Sequence, residues 1–182
     1  MDFRRNVLVV AGTALAYYVL FVLNQFLFSA LTFSAGTSWV FLPSGVCLFA
    51  ILLFALWGAL GVVLGAMGFA LLQSNIGSDP LTLGVSICLC GLAPLLARQI
   101  CLGSAELNAN LQGLSATGLL RVAAIFSAVS AGLHQLWFAW RGVSNDIVGG
   151  LAAMFTGDML GILIVLYMVK MSLSLGERLR GG

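Results

Sequence analysis

Long apolar runs, separated by brief polar and turn-forming clusters, divide this chain into segments of membrane length. A spanning helix needs about 20 apolar residues. The first such run extends from about Asn6 to Leu31, behind Arg4 and Arg5. Ala14-Leu15-Ala16 mimics a signal-peptide cleavage site after a basic start, but the apolar stretch continues for several more turns, so a retained signal-anchor helix is expected. From Ser38 to Gln73 there is no charge at all. As one helix this stretch would far exceed the thickness of a bilayer, so it is expected to fold back near Trp57-Gly58. The result is a short second helix, about Leu42 to Leu56, and a third, about Ala59 to Leu72. Both are short for full crossings, which leaves a re-entrant hairpin open. Three further segments run from about Leu81 to Ile100, Leu119 to Trp140 and Ile147 to Met171. The expected fold is an all-α, polytopic membrane bundle of six helices, a single domain over residues 1–182, with the second and third helices forming a short hairpin.

The connectors refine this outline. Asn75-Ile76-Gly77-Ser78-Asp79-Pro80 is a short turn built from typical breakers. Between Leu102 and Thr117 the chain is polar, yet Leu107, Leu111 and Leu114 recur at helical spacing, which suggests a small amphipathic helix lying on the membrane surface or docking a partner. No soluble domain is expected at either end, so any output would come from another polypeptide.

Composition agrees with the pattern and narrows the function classes. Of 182 residues, 61% are hydrophobic and 8% charged, against about 25% charged in soluble domains. Nucleic-acid binding would need a basic patch, a disulfide scaffold more cysteine in a smaller chain, and disorder low hydrophobicity; none fits. The few charges are unevenly placed. With six crossings, Arg4, Arg5, Arg98, Arg121, Lys170, Arg178 and Arg180 fall on one side and Arg141 alone on the other. The positive-inside rule then predicts both termini in the cytoplasm. Five crossings would destroy that bias.

Helices in lipid associate through close contact and polar interactions. Gly58, Gly61, Gly65 and Gly68 share one face of the third helix, and Gly149, Ala153, Gly157 and Gly161 recur every four residues on the sixth. Such seams let backbones approach closely within a bundle, and one of them would also suit a homodimer. Asp158 lies about halfway along the sixth helix, where an ionised carboxylate costs roughly 2.5–3.5 kcal/mol on the insertion scale. It must face the interior, pair with a donor or stay protonated; it is a candidate for binding a ligand or carrying a proton, or else for locking two helices together. His134, the single histidine, shares an approximate face with Ser130, Trp137 and Arg141 and could line a cavity, although Trp137 and Trp140 also read as interfacial anchors. One of Tyr17 and Tyr18, and one of Asn24 and Gln25, should face inward, to bind a ligand or a neighbouring helix. The candidate ligand-binding residues are Asp158, His134, Asn24 and Ser130. Cys47, Cys88, Cys90 and Cys101 have no metal-ligand spacing, so no metal and no cofactor are expected. A Ser44–His134 protease dyad lacks its usual glycine context, and no catalysis is expected.

Two segments together carry a resemblance. Phe41-Leu42-Pro43-Ser44-Gly45-Val46 opens the second helix, and Phe155-Thr156-Gly157-Asp158-Met159-Leu160-Gly161 lies in the sixth. In this order they resemble the membrane-associated sensor family of the first type, a bacterial multi-helix input domain. Its members show a Trp/Phe-x-Pro-x-Gly element early and a Gly-Asp-x-x-Gly element late. The resemblance implies that Pro43, Gly45, Gly157, Asp158 and Gly161 are characteristic positions, and that the domain feeds a kinase or cyclase output. Six expected helices rather than eight, with no output domain expected in these 182 residues, depart from the family pattern. The chain also looks like the substrate-binding component of energy-coupling-factor vitamin transporters, with Ala11, Ala14 and Ala16 loosely matching a docking surface. A structural or assembly subunit of a larger complex is the third class. The expectation is a non-catalytic sensory or ligand-binding module in the lipid bilayer that signals to a protein partner, with no nucleic acid involved.

Overall fold

A computed structural model describes residues 3–34, 36–72, 79–102 and 115–180, with the main chain alone for 173–180. Of the described residues 87% are helical, and they build an all-α bundle. Its helices are α1 (Phe3–Phe28), α2 (Pro43–Phe54), α3 (Leu56–Leu72), α4 (Pro80–Leu102), α5 (Ala116–Trp140) and α6 (Ile147–Arg180). A single 3-10 turn, Ser29–Leu31, ends α1 and leads into an antiparallel hairpin of β1 (Thr32–Ser34) and β2 (Thr37–Ser38). With their apolar composition, α1 and its 3-10 turn, α4, α5 and α6 are long enough to cross a membrane, whereas α2 and α3 are shorter. This is a multi-pass membrane protein.

The helix bounds follow the hydrophobic pattern closely, with three differences. The turn between α2 and α3 is at Ala55, not at Trp57-Gly58, and Ala55 takes φ +48. Its position is set by packing, because Gly58 must slide directly under the main-chain oxygen of Ala50, where a side chain would collide. Second, α6 continues through Arg180 rather than ending near Met171. Third, the β-hairpin has no counterpart in the sequence reading, since its seven residues are too few for a periodic signal. The amphipathic helix expected around Leu107, Leu111 and Leu114 lies outside the described residues, as do Asn75 to Ser78 of the breaker turn and the side chains of Arg178 and Arg180.

The two glycine seams serve different neighbours. On α3, Gly61 meets Thr13 and the Val10 carbonyl, and Gly65 meets Ala14 and Tyr17, so α1 and α3 run parallel in close contact; nothing lies within 4 Å of the position a Gly68 side chain would take. On α6 the seam receives no helix at its upper end. Gly149 meets Phe33, Gly157 meets the Ser38 carbonyl, Gly161 meets the Phe41 carbonyl and Gly45 meets Val165. After the hairpin turn, residues 37–41 therefore descend along α6 in non-helical conformation, and the chain becomes a helix only partway down. Since Gly157 and Gly161 are ten and fourteen residues into α6, α2 begins roughly 20 Å below its tip. Irregular backbone at that depth is tolerated only where protein satisfies its polar groups. Here Phe41 N–H donates to Gly157 O at 3.1 Å, Leu42 N–H to Asn24 Oδ1 at 2.8 Å, and Trp39 N–H to Leu31 O at 3.0 Å. Pro43, at the first turn of α2, has no N–H to satisfy.

α2 is consequently central. Eight of its twelve residues are buried, and it packs against α1, α3, α4 and α6. Tyr17, Cys47, Leu48, Leu52, Val62, Phe126 and Ile162 form the core beneath it.

Candidate functional site

A cavity of about 290 Å³ lies between the hairpin and the core, and every helix contributes to its wall. From α1 come Tyr17, Phe21 and Asn24; from α4 Thr82, Ser86 and Cys90; from α5 Ser130, His134 and Phe138; from α6 Met154 and Asp158. Ser44 and Cys47 of α2, Phe69 of α3, and Thr37 and Ser38 of the hairpin complete the parts that matter below. The structure thus brings Asp158, His134, Asn24 and Ser130 to one cavity. Pro43, Gly45, Gly157 and Gly161 instead hold the descending strand and the start of α2 against α6, which is what puts Asp158 beside the cavity.

Asp158 is 2% exposed. The Ser130 hydroxyl lies against its carboxylate, but Oδ2 has no hydrogen-bond partner. The Asp158 main-chain oxygen accepts from Ser44 Oγ at 2.9 Å, and the same hydroxyl lies 2.6 Å from Phe41 O. His134 Nδ1 is 2.9 Å from Ser130 O, so that nitrogen must carry the hydrogen. Its ring also faces the Ser86 main-chain oxygen. The Ser44 hydroxyl and the His134 ring are therefore each engaged with main-chain oxygens rather than with one another. Of the paired candidates on α1, Tyr17 and Asn24 are buried. Asn24 spends its carbonyl on Leu42 N–H, which makes it a cap for the strand as well as a cavity residue. Trp137 stays off the cavity, its ring centroid 5.1 Å from that of Trp140.

One wall is aromatic. Phe21 and Phe69 stack with centroids 3.9 Å apart, Phe41 meets Phe21 edge-on at 5.4 Å, and Tyr17 lies 5.9 Å from Phe21. Arg141, the C-cap of α5, closes the hairpin end of the bundle. Its Nη2 lies 3.2 Å from Asp79 Oδ2, while Thr82 Oγ1 donates to the same oxygen at 2.6 Å. Asp79 Oδ1 accepts from Leu81 and Thr82 N–H, both at 3.0 Å, capping α4. Chiefly through the Thr82 hydroxyl and N–H, with Arg141 adding less, its carboxyl is pulled down to about 2. Gly142, at φ +66, stops α5 and lets Arg141 turn toward Asp79.

Sequence reasoning passed over α4, although Thr82, Ser86 and Cys90 recur every four residues on an apolar helix and so share a face. It also missed Gln135, whose Nε2 donates to Thr37 Oγ1 at 3.0 Å and ties α5 to the hairpin. Cys47, Cys88, Cys90 and Cys101 form no disulfide, and Cys47 and Cys90 are on the cavity wall. No group of three or more metal-ligating side chains occurs among the described residues. Compared with models of protein families, with curated proteins and with solved structures, the chain matches none of them.

Proposed function

We propose that this protein is a non-catalytic sensory module that binds a small ligand between its helices and passes the change to a partner protein. The observation that carries this reading is the 290 Å³ cavity with a buried, unpartnered carboxylate oxygen of Asp158 in its wall. Buried polar groups are normally paired, so an unspent carboxylate oxygen on a residue that lines a cavity of that size supports a ligand that supplies the missing donor. Pockets that take small molecules are mostly apolar with a few placed polar groups, which describes this one.

Orientation follows from charge. Arg4, Arg5, Arg98, Arg121 and Lys170 belong to the end opposite the hairpin, while Arg141 at the hairpin end is paired with Asp79. This asymmetry supports cytoplasmic termini, with the ligand arriving from the hairpin side; the bacterial inner membrane as its location rests on the resemblance to the bacterial sensor family. The strand at residues 38–42 and α2 connect the cavity to the Ala55 turn at the far end. Ligand binding transmits a signal only if it favours one bundle arrangement over another, so α2 would shift against α6 along Gly157 and Gly161.

The test is purification from native membranes in mild detergent, with mass spectrometry of bound small molecules and associated chains. A small molecule retained by the wild type and lost from Asp158→Asn, together with a co-purifying kinase, cyclase or other signalling protein, is the expected result. A stoichiometric complex with transport ATPases, or a native preparation holding no small molecule, would overturn the reading.

A further inference from the structure

The polar atoms of the cavity have largely spent their hydrogens within the protein. Thr82 Oγ1 donates to Asp79, Ser86 Oγ to Thr82 O at 2.8 Å, and Ser44 Oγ to main-chain oxygens. Tyr17 OH points at Cys90 Sγ, 3.7 Å away, and the His134 ring addresses main-chain oxygens. What these groups have left is therefore mostly lone pairs, and Asp158, which also lines the cavity, has in Oδ2 a buried acceptor with no partner. The side-chain amides of Asn24 and Gln25 are the main exception, and both sit on α1. Among the described residues no lysine or arginine lines the cavity, and the nearby Arg141 is held by Asp79. A lining of acceptors around a carboxylate selects an occupant that brings donors and positive charge.

The aromatic wall specifies the rest of the molecule. Phe21, Phe41, Phe69 and Tyr17 form a continuous aromatic surface, which suits an apolar body and attracts a cation over its ring faces. The volume is about twice that of a cavity known to take benzene, enough for on the order of ten to fifteen non-hydrogen atoms.

We infer that the cavity is a site for a compact organic ammonium ion, its charged head at Asp158 and its apolar body on the Phe21–Phe69 wall. This rests on the ligand-binding reading above and adds the chemical class. The ammonium belongs either to a free amine or to an ethanolamine lipid headgroup.

Three phenylethyl probes of similar size separate the charge classes on the wild-type chain, reconstituted in phosphatidylglycerol nanodiscs: phenethylamine, 2-phenylethanol and 3-phenylpropionate. The amine should bind at least tenfold more tightly than either of the others. Asp158→Asn should lose at least tenfold in amine affinity, and Phe69→Leu several-fold, with thermal unfolding midpoints confirming that both variants fold. Adding phosphatidylethanolamine to the nanodiscs assigns the source: competition with the amine identifies the headgroup, and its absence a free amine. Equal binding of the alcohol or the carboxylate, or undiminished amine binding by a folded Asp158→Asn, overturns the ammonium assignment while leaving a ligand cavity. Binding of none of the three probes overturns it as well, and the broader reading fails separately, through native preparations that carry no small molecule.

Discussion

The Ser44 hydroxyl donates to the main-chain oxygen of Asp158 across 114 positions of sequence, at 2.9 Å. This bond joins the first turn of α2 to the residue that supplies the cavity's carboxylate. Around it, Gly157 and Gly161 seat the carbonyls of Ser38 and Phe41. The early Pro-Ser-Gly element and the late Gly-Asp-x-x-Gly element are thus two halves of one contact.

That contact predicts opposite outcomes for two glycine substitutions. Gly161→Ala puts a methyl group into the Phe41 carbonyl and should cost about 2–3 kcal/mol. Gly68→Ala meets nothing within 4 Å and should be neutral or gain about 0.5 kcal/mol from helix propensity. Thermal unfolding in detergent, comparing the two midpoints with the wild type, checks both.

Ala55 carries the turn between α2 and α3 at φ +48, a conformation glycine adopts without penalty. Ala55→Gly should therefore stabilise by about 0.5–1 kcal/mol, and Ala55→Val should destabilise by about 1–2 kcal/mol. The same unfolding assay reads these shifts, and a midpoint lowered by glycine would contradict the turn geometry.

Thr37→Val keeps the shape of a buried side chain but removes the acceptor of the Gln135 amide. It should cost about 1–3 kcal/mol, because Gln135 is 1% exposed and its Oε1 already lacks a partner. Adding Gln135→Leu should recover part of that loss, a coupling measurable in a double-mutant cycle. Hydrogen exchange at the Trp39 N–H, bonded to Leu31 O, reports whether the hairpin loosens.

Asp79 makes a pH prediction. Its folded carboxyl titrates at about 2, below the unfolded value of about 3.9. The carboxylate's contribution to stability is therefore complete above about pH 4 and lost as pH falls through about 2. The difference in unfolding midpoint between wild type and Asp79→Asn should shrink over that interval and stay constant from pH 5 to 7. A difference that persists at pH 2 would show that the Thr82 and Arg141 contacts do not depend on the charge.

The hydrophobic pattern made the helices legible because each apolar run has a definite length and the breakers between runs are unambiguous. Asp158 was legible for the same reason: a lone carboxylate in an apolar helix is conspicuous. The hairpin was not, since Thr32 to Ser38 pair over too few residues to leave a period, and their partners are on α5 and α6. The role of the α6 seam was only half legible. Four-residue spacing announces a close approach, but it does not say whether a helix or a strand arrives. Asn24 likewise read as an inward polar group, while its partner, the Leu42 N–H, depends on irregular backbone that no side-chain pattern records.

The strand that descends along α6 has a consequence for biosynthesis. Residues 37–45 emerge from the ribosome long before the helix whose glycines seat them, so although Trp39 and Leu42 can already bond to Leu31 and Asn24, Phe41 N–H cannot find Gly157 O when first made. They must wait at the membrane surface or in a protected environment until α6 arrives. Insertion of the first three helices should then be completed only after synthesis has passed Gly161. A truncated chain ending before α6 would be caught with its central element undocked.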